Sequence, residues 1–436
     1  MSFKTQHIKR KMKKIILFTI FILINIGFIF ALNSNDSINS KDKSSYPFII
    51  QDSPTKLFSM RQFNQNYLTS YRFLSSELYS NTSKKLGFLV QYFSELFFLI
   101  PLTHEEGHRS ILTMLGIGSI SQPYFNLEGA AYVNGVRDVE LKNLRDTDLP
   151  DYIRLHTAGL ESDYMLSNKI EELIVFGLES KQNLKIDYLA HKLDVLSYYA
   201  LSMFPTLNPK LKEESNELDR DIVGQDVYGA IKNLYRPNIL FYRYTNYDEL
   251  TQEEKKFVLR AGYRALLNIG SPLFIKPLNI IKNRNFKLSV STGYTMCPFG
   301  DFIDENFLIQ YKQKYNIHAY LRQFENRNNW FMGGGLSLVD YQIAQKINAT
   351  IAGHFWNQPK NLDFNTSDSK FGGSCDLLFK YIVLGGQRSN SMSLDLGINY
   401  KTVGFLPEDV YLKENVGLRM GVTVNLIRSS PKVKNK

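Results

Sequence analysis

Cysteine is nearly absent: Cys297 and Cys375 are the only two among 436 residues. They lie far apart and form no CxxC pair, so dithiol redox chemistry is not suggested. The two are compatible with an oxidising compartment without fixing a bond between them. Histidine is scarce too, with seven in the chain. A basic stripe is also missing. The formal charge of +10 resolves into six cations at one end, Lys4, Lys9, Arg10, Lys11, Lys13 and Lys14, and four at the other, Arg428, Lys432, Lys434 and Lys436. The body is balanced, so no nucleic-acid partner is expected. What is abundant is apolar: 44% of residues are hydrophobic and 13% aromatic, a composition that suits an ordered chain long enough for two domains.

The amino end has the secretory pattern of a basic region through Lys14, an apolar run from Ile15 to Ala31, and polar Asn33-Ser34-Asn35-Asp36-Ser37. Residues 1–31 are therefore expected to be a signal peptide cleaved near Ala31. At roughly 17 residues, the run also leaves an uncleaved anchor open. Residues 32–60, rich in Ser, Asn, Asp and Lys with Pro47 and Pro54, read as a flexible lead-in.

The strongest chemical signal is Thr103-His104-Glu105-Glu106-Gly107-His108-Arg109, whose core is HExxH. On a helix, His104 and His108 leave the same face and can bind one zinc, with Glu105 placed to act on water. The motif stands between the apolar runs Leu96-Phe97-Phe98-Leu99-Ile100 and Ile111-Leu112-Thr113-Met114-Leu115, which a solvated charged face would not. Leu86–Leu102 reads as a core or membrane-skimming helix, because the ionisable Glu95 argues against a full span.

Gly116-Ile117-Gly118 stops the motif helix, and Ser119–Phe125 with Ala130–Val133 predict a β-hairpin joined by 126–129. His156-Thr157-Ala158-Gly159-Leu160-Glu161 is read as opening a helix towards Phe176. Asp226 stands just before the periodic Val227, Ala230, Ile231 and Leu234, a helix start. Thr251-Gln252-Glu253-Glu254 is a capping box for a helix to about Ile269.

From Phe286 the period changes from 3.6 to 2. Met392, Leu394, Leu396, Ile398 and Tyr400, then Val416, Leu418, Met420, Val422, Val424 and Leu426, alternate with small or polar residues. Further strands are expected at 286–296, 305–313, 316–324, 329–339, 346–355 and 371–381. The fold class is thus α+β and multidomain: a mainly helical, zincin-like domain at 61–284, an antiparallel β-barrel of about eight strands at 285–428, and a basic tail at 429–436. Strands of ~10 residues fit an outer-membrane barrel. Period alone does not say which face points inward.

Two histidines need a third metal donor. Asp226, Glu161, Asp219 and Asp221 are the candidates; Glu161 and Asp226 can also simply favour the first turn of a helix. His156 is either a donor that orients the site or an ordinary buried His. His191, His318 and His354 receive no role.

His104-Glu105-Glu106-Gly107-His108, the Gly-bounded hairpin and Ala158-Gly159 together resemble the site-2 protease group over roughly residues 86–235. That resemblance implies zinc, a late Asp ligand at a helix start, Asp226 here, and Glu105 as general base. The Asn-Pro and Leu-Asp-Gly signatures of that group are broken up: Asn208-Pro209 and Leu218-Asp219 hold fragments of them, and the spanning helices are largely missing.

The expectation is an exported zinc metallopeptidase acting on peptide or protein, with metal ligands His104, His108 and Asp226, anchored by a barrel to outer-membrane lipid in the cell envelope. Its helical domain would face the periplasm or the surface. Two rivals remain: an envelope barrel protein with a structural or adhesive helical domain, and a protease whose Leu86–Leu115 segment lies within the bilayer.

Overall fold

The computed structural model describes residues 43–427 apart from 56, 126–130, 209, 275–278 and 387–388. The expected signal peptide, basic tail and hairpin link fall outside the described residues. Period-two alternation becomes one antiparallel sheet. Its strands are β1 (Lys43–Ser53), β4 (Ile281–Lys282), β5 (Phe286–Cys297), β6 (Gly300–Tyr311), β7 (Tyr315–Glu325), β8 (Trp330–Ala344), β9 (Ile347–Pro359), β10 (Ser369–Gly385), β11 (Ser391–Lys401) and β12 (Asn415–Ile427). They lie in the order β1-β12-β11-β10-β9-β8-β7-β6-β5-β4, a ten-stranded meander with β1 added beside the last strand. A separate two-stranded hairpin pairs β2 (Ile120–Gln122) with β3 (Tyr132–Asn134).

The lead-in reading of residues 32–60 is corrected over 43–53. That stretch pairs with β12 from Lys43↔Ile427 to Ser53↔Leu418, with a bulge at Ile50. Polar composition hid it. Its partner lies at the far end of the chain, and Pro47 is tolerated because β1 is an edge strand. The free edge is covered by α1 (Met60–Asn81): the Asn66 side chain accepts from Ile49 N–H at 2.8 Å and donates to its carbonyl at 2.9 Å. A helix thereby satisfies backbone groups that an exposed edge would offer to other chains.

The sheet's two faces are sorted the opposite way from a soluble sandwich. On β11, Leu394, Leu396, Ile398 and Tyr400 are exposed, while Ser391, Ser393, Asp395, Asn399 and Lys401 between them are buried. On β12 the exposed Val416, Leu418 and Met420 flank the buried Arg419. The register extends this across strands: Phe379, Leu396 and Met420 form an outward row, and Lys380, Asp395 and Gly421 the next, inward one. Arg322 meets Asp304 through two hydrogen bonds of 2.6 and 2.7 Å, so an inward charge is paired. The inner face encloses a cavity of about 680 Å³ whose walls include Arg61, Lys169, Glu172, Lys380, Asp395 and Arg419.

The helices are α1, α2 (Lys84–Ser94), a π-helical turn at Glu95–Leu99, α3 (Ile100–Met114), α4 (Asp138–Thr147), α5 (Leu149–Val175), α6 (Lys181–Ser202), α7 (Asp226–Tyr235) and α8 (Gln252–Arg264). The helix containing Ala158-Gly159 starts earlier than expected. Pro150 in its first turn sets the start near Leu149, so His156–Glu161 lies mid-helix. The capping box of Thr251 and Glu254 is present at α8. At the expected 284/285 boundary the secondary structure changes, but one apolar cluster crosses it: Leu160, Tyr164, Val195, Tyr199 and Val258 pack with Tyr294, Phe299, Phe302, Trp356 and Phe405. α5 thus runs along the inner face of the sheet, from Tyr164 against Phe302 to Phe176, whose carbonyl accepts from Gln310 at 3.0 Å.

Candidate metal centre

Pro101 explains the local geometry just before the motif. It has no N–H for the carbonyl four residues back, and its ring crowds that carbonyl. The chain instead widens into the π turn Glu95–Leu99, where Ile100 N–H reaches the Glu95 carbonyl, and the helix continues without a break into α3. His104 and His108, one turn apart on α3, have ring centroids 5.0 Å from each other.

Close packing holds α3 against α5. A Cβ on Gly107 would lie 2.6 Å from the Ala158 carbonyl, and one on Gly159 would lie 2.4 Å from His104 Nε2. Two glycines therefore let the helix backbones approach and leave the His104 ring its place. Tyr198 of α6 stacks on that ring, with centroids 5.6 Å apart and planes inclined by 18°.

Asp226 is the first residue of α7, whose N-cap Gln225 accepts from Tyr228 N–H. Its Oδ2 lies 3.1 Å from His104 Nε2 and 3.2 Å from His108 Nε2. The other ring nitrogens are held from behind. His108 Nδ1 is 2.6 Å from the Leu155 carbonyl, and His104 Nδ1 is 2.9 Å from Asp163 Oδ2. A carbonyl can only accept, so His108 Nδ1 is assigned the hydrogen, and the carboxylate assigns the same tautomer to His104.

In neutral rings of that tautomer both Nε2 lone pairs face the Asp226 carboxylate, and the space between is lined by electron pairs alone. A cation fits there. Donors of a tetrahedral zinc at ~2.0–2.1 Å stand roughly 3.3 Å apart, close to the spacing of these atoms. Imidazoles backed by a carboxylate and a carbonyl are also the usual arrangement of metal-bound histidines.

Without a cation the rings take up its charge: burial lowers both, but bonds to Asp163, Asp194 and Asp226 raise His104 well above its usual range, and Asp226 raises His108. Burial alone would raise the Asp226 carboxyl, but the facing His108 and His104 imidazoles hold it below the usual carboxylate range. Burial opposes ionisation of Asp163 as well, and its bonds to His104 and His191 overcome that. Glu105 is 8% exposed. Burial pushes its carboxyl up to about 8, against the pull of His108 and His104 and with the help of Asp221 and Asp226. Neighbouring Glu106 is tied instead to Arg109 at 3.0 Å.

The rivals for the third donor are placed otherwise. Glu161 grips Arg154 through bonds of 3.1 and 2.8 Å and accepts from Glu408 N–H, a buried structural pair far from an open donor role. Asp219 is exposed and bonded to Asn216. Asp221 accepts from Gly224 N–H at 3.0 Å, and burial pushes its carboxyl up to about 7 despite nearby His108; it borders the site without reaching the two Nε2 atoms. His156 packs edge-on against Tyr152. Neither of its ring nitrogens has a hydrogen-bond partner, and burial pushes the ring down to about 3. It is a neutral core residue, and Asp163 is what orients the site.

Sequence reasoning missed Asp163, Asp194, His191 and Tyr198. A signal for three of them was present: Asp187, His191, Asp194 and Tyr198 recur at steps of four, three and four along α6, one polar stripe on a helix otherwise rich in Leu and Tyr. Compared with family models, curated proteins and solved structures, the chain matches none.

Proposed function

We propose that the chain is a zinc-dependent peptidase of the cell envelope, with His104, His108 and Asp226 as metal ligands and Glu105 as general base. The observation that carries this is the convergence of two Nε2 atoms on one Asp226 oxygen, at 3.1 and 3.2 Å, with Glu105 next along the helix. A zinc ion held there would polarise a peptide carbonyl and lower the pKa of water. Glu105 takes the proton from the attacking water and delivers it to the leaving amine nitrogen. Asp163 keeps His104 in the tautomer that presents Nε2, and the Leu155 carbonyl does the same for His108. Tyr198, stacked on His104, limits how far the ring can turn. The resemblance to the site-2 protease group supports Asp226 in the ligand role.

The outward apolar face supports a membrane setting. A row such as Phe379, Leu396 and Met420, exposed on strands whose alternate residues are buried and polar, is what lipid outside and a polar interior require. In this reading the ten strands form an outer-membrane barrel wall curled round α1 and α5. The exposed Leu86, Leu89, Val90 and Phe93 of α2 support a helix that skims the bilayer surface. Zinc content tests the core of the proposal: His104→Ala and His108→Ala should each abolish one zinc equivalent and peptidase activity together, and a zinc-free wild type that still hydrolyses peptide would remove it.

A further inference from the structure

A second cluster lies one helix away from the first and is more deeply buried. Glu95 opens the π turn, and Asp187 and His191 stand one turn apart on α6; their exposures are 2%, 0% and 0%. A carboxylate oxygen from each acid and a ring nitrogen of His191 all lie within 4.8 Å of one another. Both Glu95 oxygens, Asp187 Oδ2 and the Tyr71 hydroxyl have no hydrogen-bond partner, and His191 Nε2 lies 3.0 Å from Asp187 Oδ1. Four buried polar atoms without partners are costly. Burial, and then the charge of Asp187, raises the Glu95 carboxyl well above its usual range, and a cation between the two carboxylates would relieve both.

The hydrogen bonds around the cluster hold it from outside, and within it His191 Nε2 faces Asp187 as His104 Nε2 faces Asp226. Tyr67 donates to Asp187 Oδ1 at 2.8 Å, and His191 Nδ1 lies 3.0 Å from Asp163 Oδ1. An imidazole backed by a carboxylate at Nδ1 presents its Nε2 as a donor, the same device that His104 uses on the opposite oxygen of the same Asp163. The π turn has a purpose in this light, because widened turns often carry site residues, and this one begins at Glu95.

We infer that Glu95, Asp187 and His191 form a second divalent-cation site, for an ion of the zinc or manganese class, coupled to the HExxH centre through the bridge His191–Asp163–His104. Two carboxylates and one imidazole suit a borderline-hard ion. The two ions would share one orienting carboxylate, so that charge placed at one site steadies the imidazole serving the other. The site does not depend on peptidase activity at the first.

The test is a metal count on the full chain, stripped with chelator and reloaded to saturation with Zn2+ alone. The wild type should hold two equivalents, Glu95→Gln one, His108→Ala one, and the double variant none. Glu95→Gln is nearly isosteric, and Asp187→Asn provides a second probe that should give the same count. Loading His108→Ala with Co2+ should also give a visible absorption spectrum that the double variant lacks. Equal zinc in wild type and Glu95→Gln, or a folded His108→Ala that takes up no metal, would overturn the inference. One equivalent in wild type and none in Glu95→Gln would leave this site standing and remove the HExxH one instead.

Discussion

His104 Nδ1 and Asp163 Oδ2 are 2.9 Å apart, and this bond fixes which nitrogen of the first motif histidine faces Asp226. Thr103 donates to the same carboxylate at 2.9 Å, so Asp163 is itself held in position. Asp163→Asn should weaken zinc binding by about 10–100-fold, the usual effect of removing a carboxylate behind a metal-bound imidazole. A competition titration with a chromophoric chelator measures it, and an unchanged affinity would mean that His104 needs no such support.

Gly159→Ala tests the packing that gives the His104 ring its place. The added methyl would lie 2.4 Å from Nε2 and 2.5 Å from Cδ2, so either the ring or α5 must move. We expect a loss of about 1–3 kcal/mol in stability, as for other overpacked cores, together with lower zinc occupancy. A melting curve and zinc content equal to those of wild type would show that the close approach is not required.

The outward face makes a prediction that separates lipid from water. Leu396 is 56% exposed between Phe379 and Met420. In a bilayer Leu396→Lys should cost about 2–4 kcal/mol near the midplane, read as a shift in the folding equilibrium into phospholipid vesicles. If that equilibrium does not move, the face is bathed in water.

Asn66→Ala removes its two hydrogen bonds to Ile49; Gln62 still reaches that carbonyl at 3.3 Å, but the Ile49 N–H loses its acceptor. Stability should fall by about 1 kcal/mol, the cost of leaving a part-buried backbone N–H unpaired. Limited proteolysis should then cut within 43–53 faster than in wild type. Unchanged cleavage there would show that β1 is held by β12 alone.

Much of this site and fold was legible in the chain because the signals are local. The four-residue step from His104 to His108, Asp226 ahead of an apolar helix, the Thr251 capping box and the eight carboxy-terminal strands all follow from neighbouring residues. Glu161 and Asp226 each read as an acid near a helix start, with its own electrostatic reason to be there; the structure places Glu161 mid-helix on Arg154 and Asp226 at the two Nε2 atoms. The strand at 43–53 was hidden because its partner lies at the opposite end of the chain. Asp163 and His191 meet His104 across three helices, so no spacing around the motif could reveal them. Nor could a period of two say which face of the sheet is apolar and exposed, since both orientations repeat identically.

The central claim concerns Glu105, and one comparison tests it most directly: zinc content and peptidase rate of wild type against Glu105→Gln. The amide preserves size and removes the base. Zinc should stay at the wild-type level while hydrolysis falls by about 10²–10⁴-fold. A Glu105→Gln protein that cleaves peptide at the wild-type rate would contradict the account.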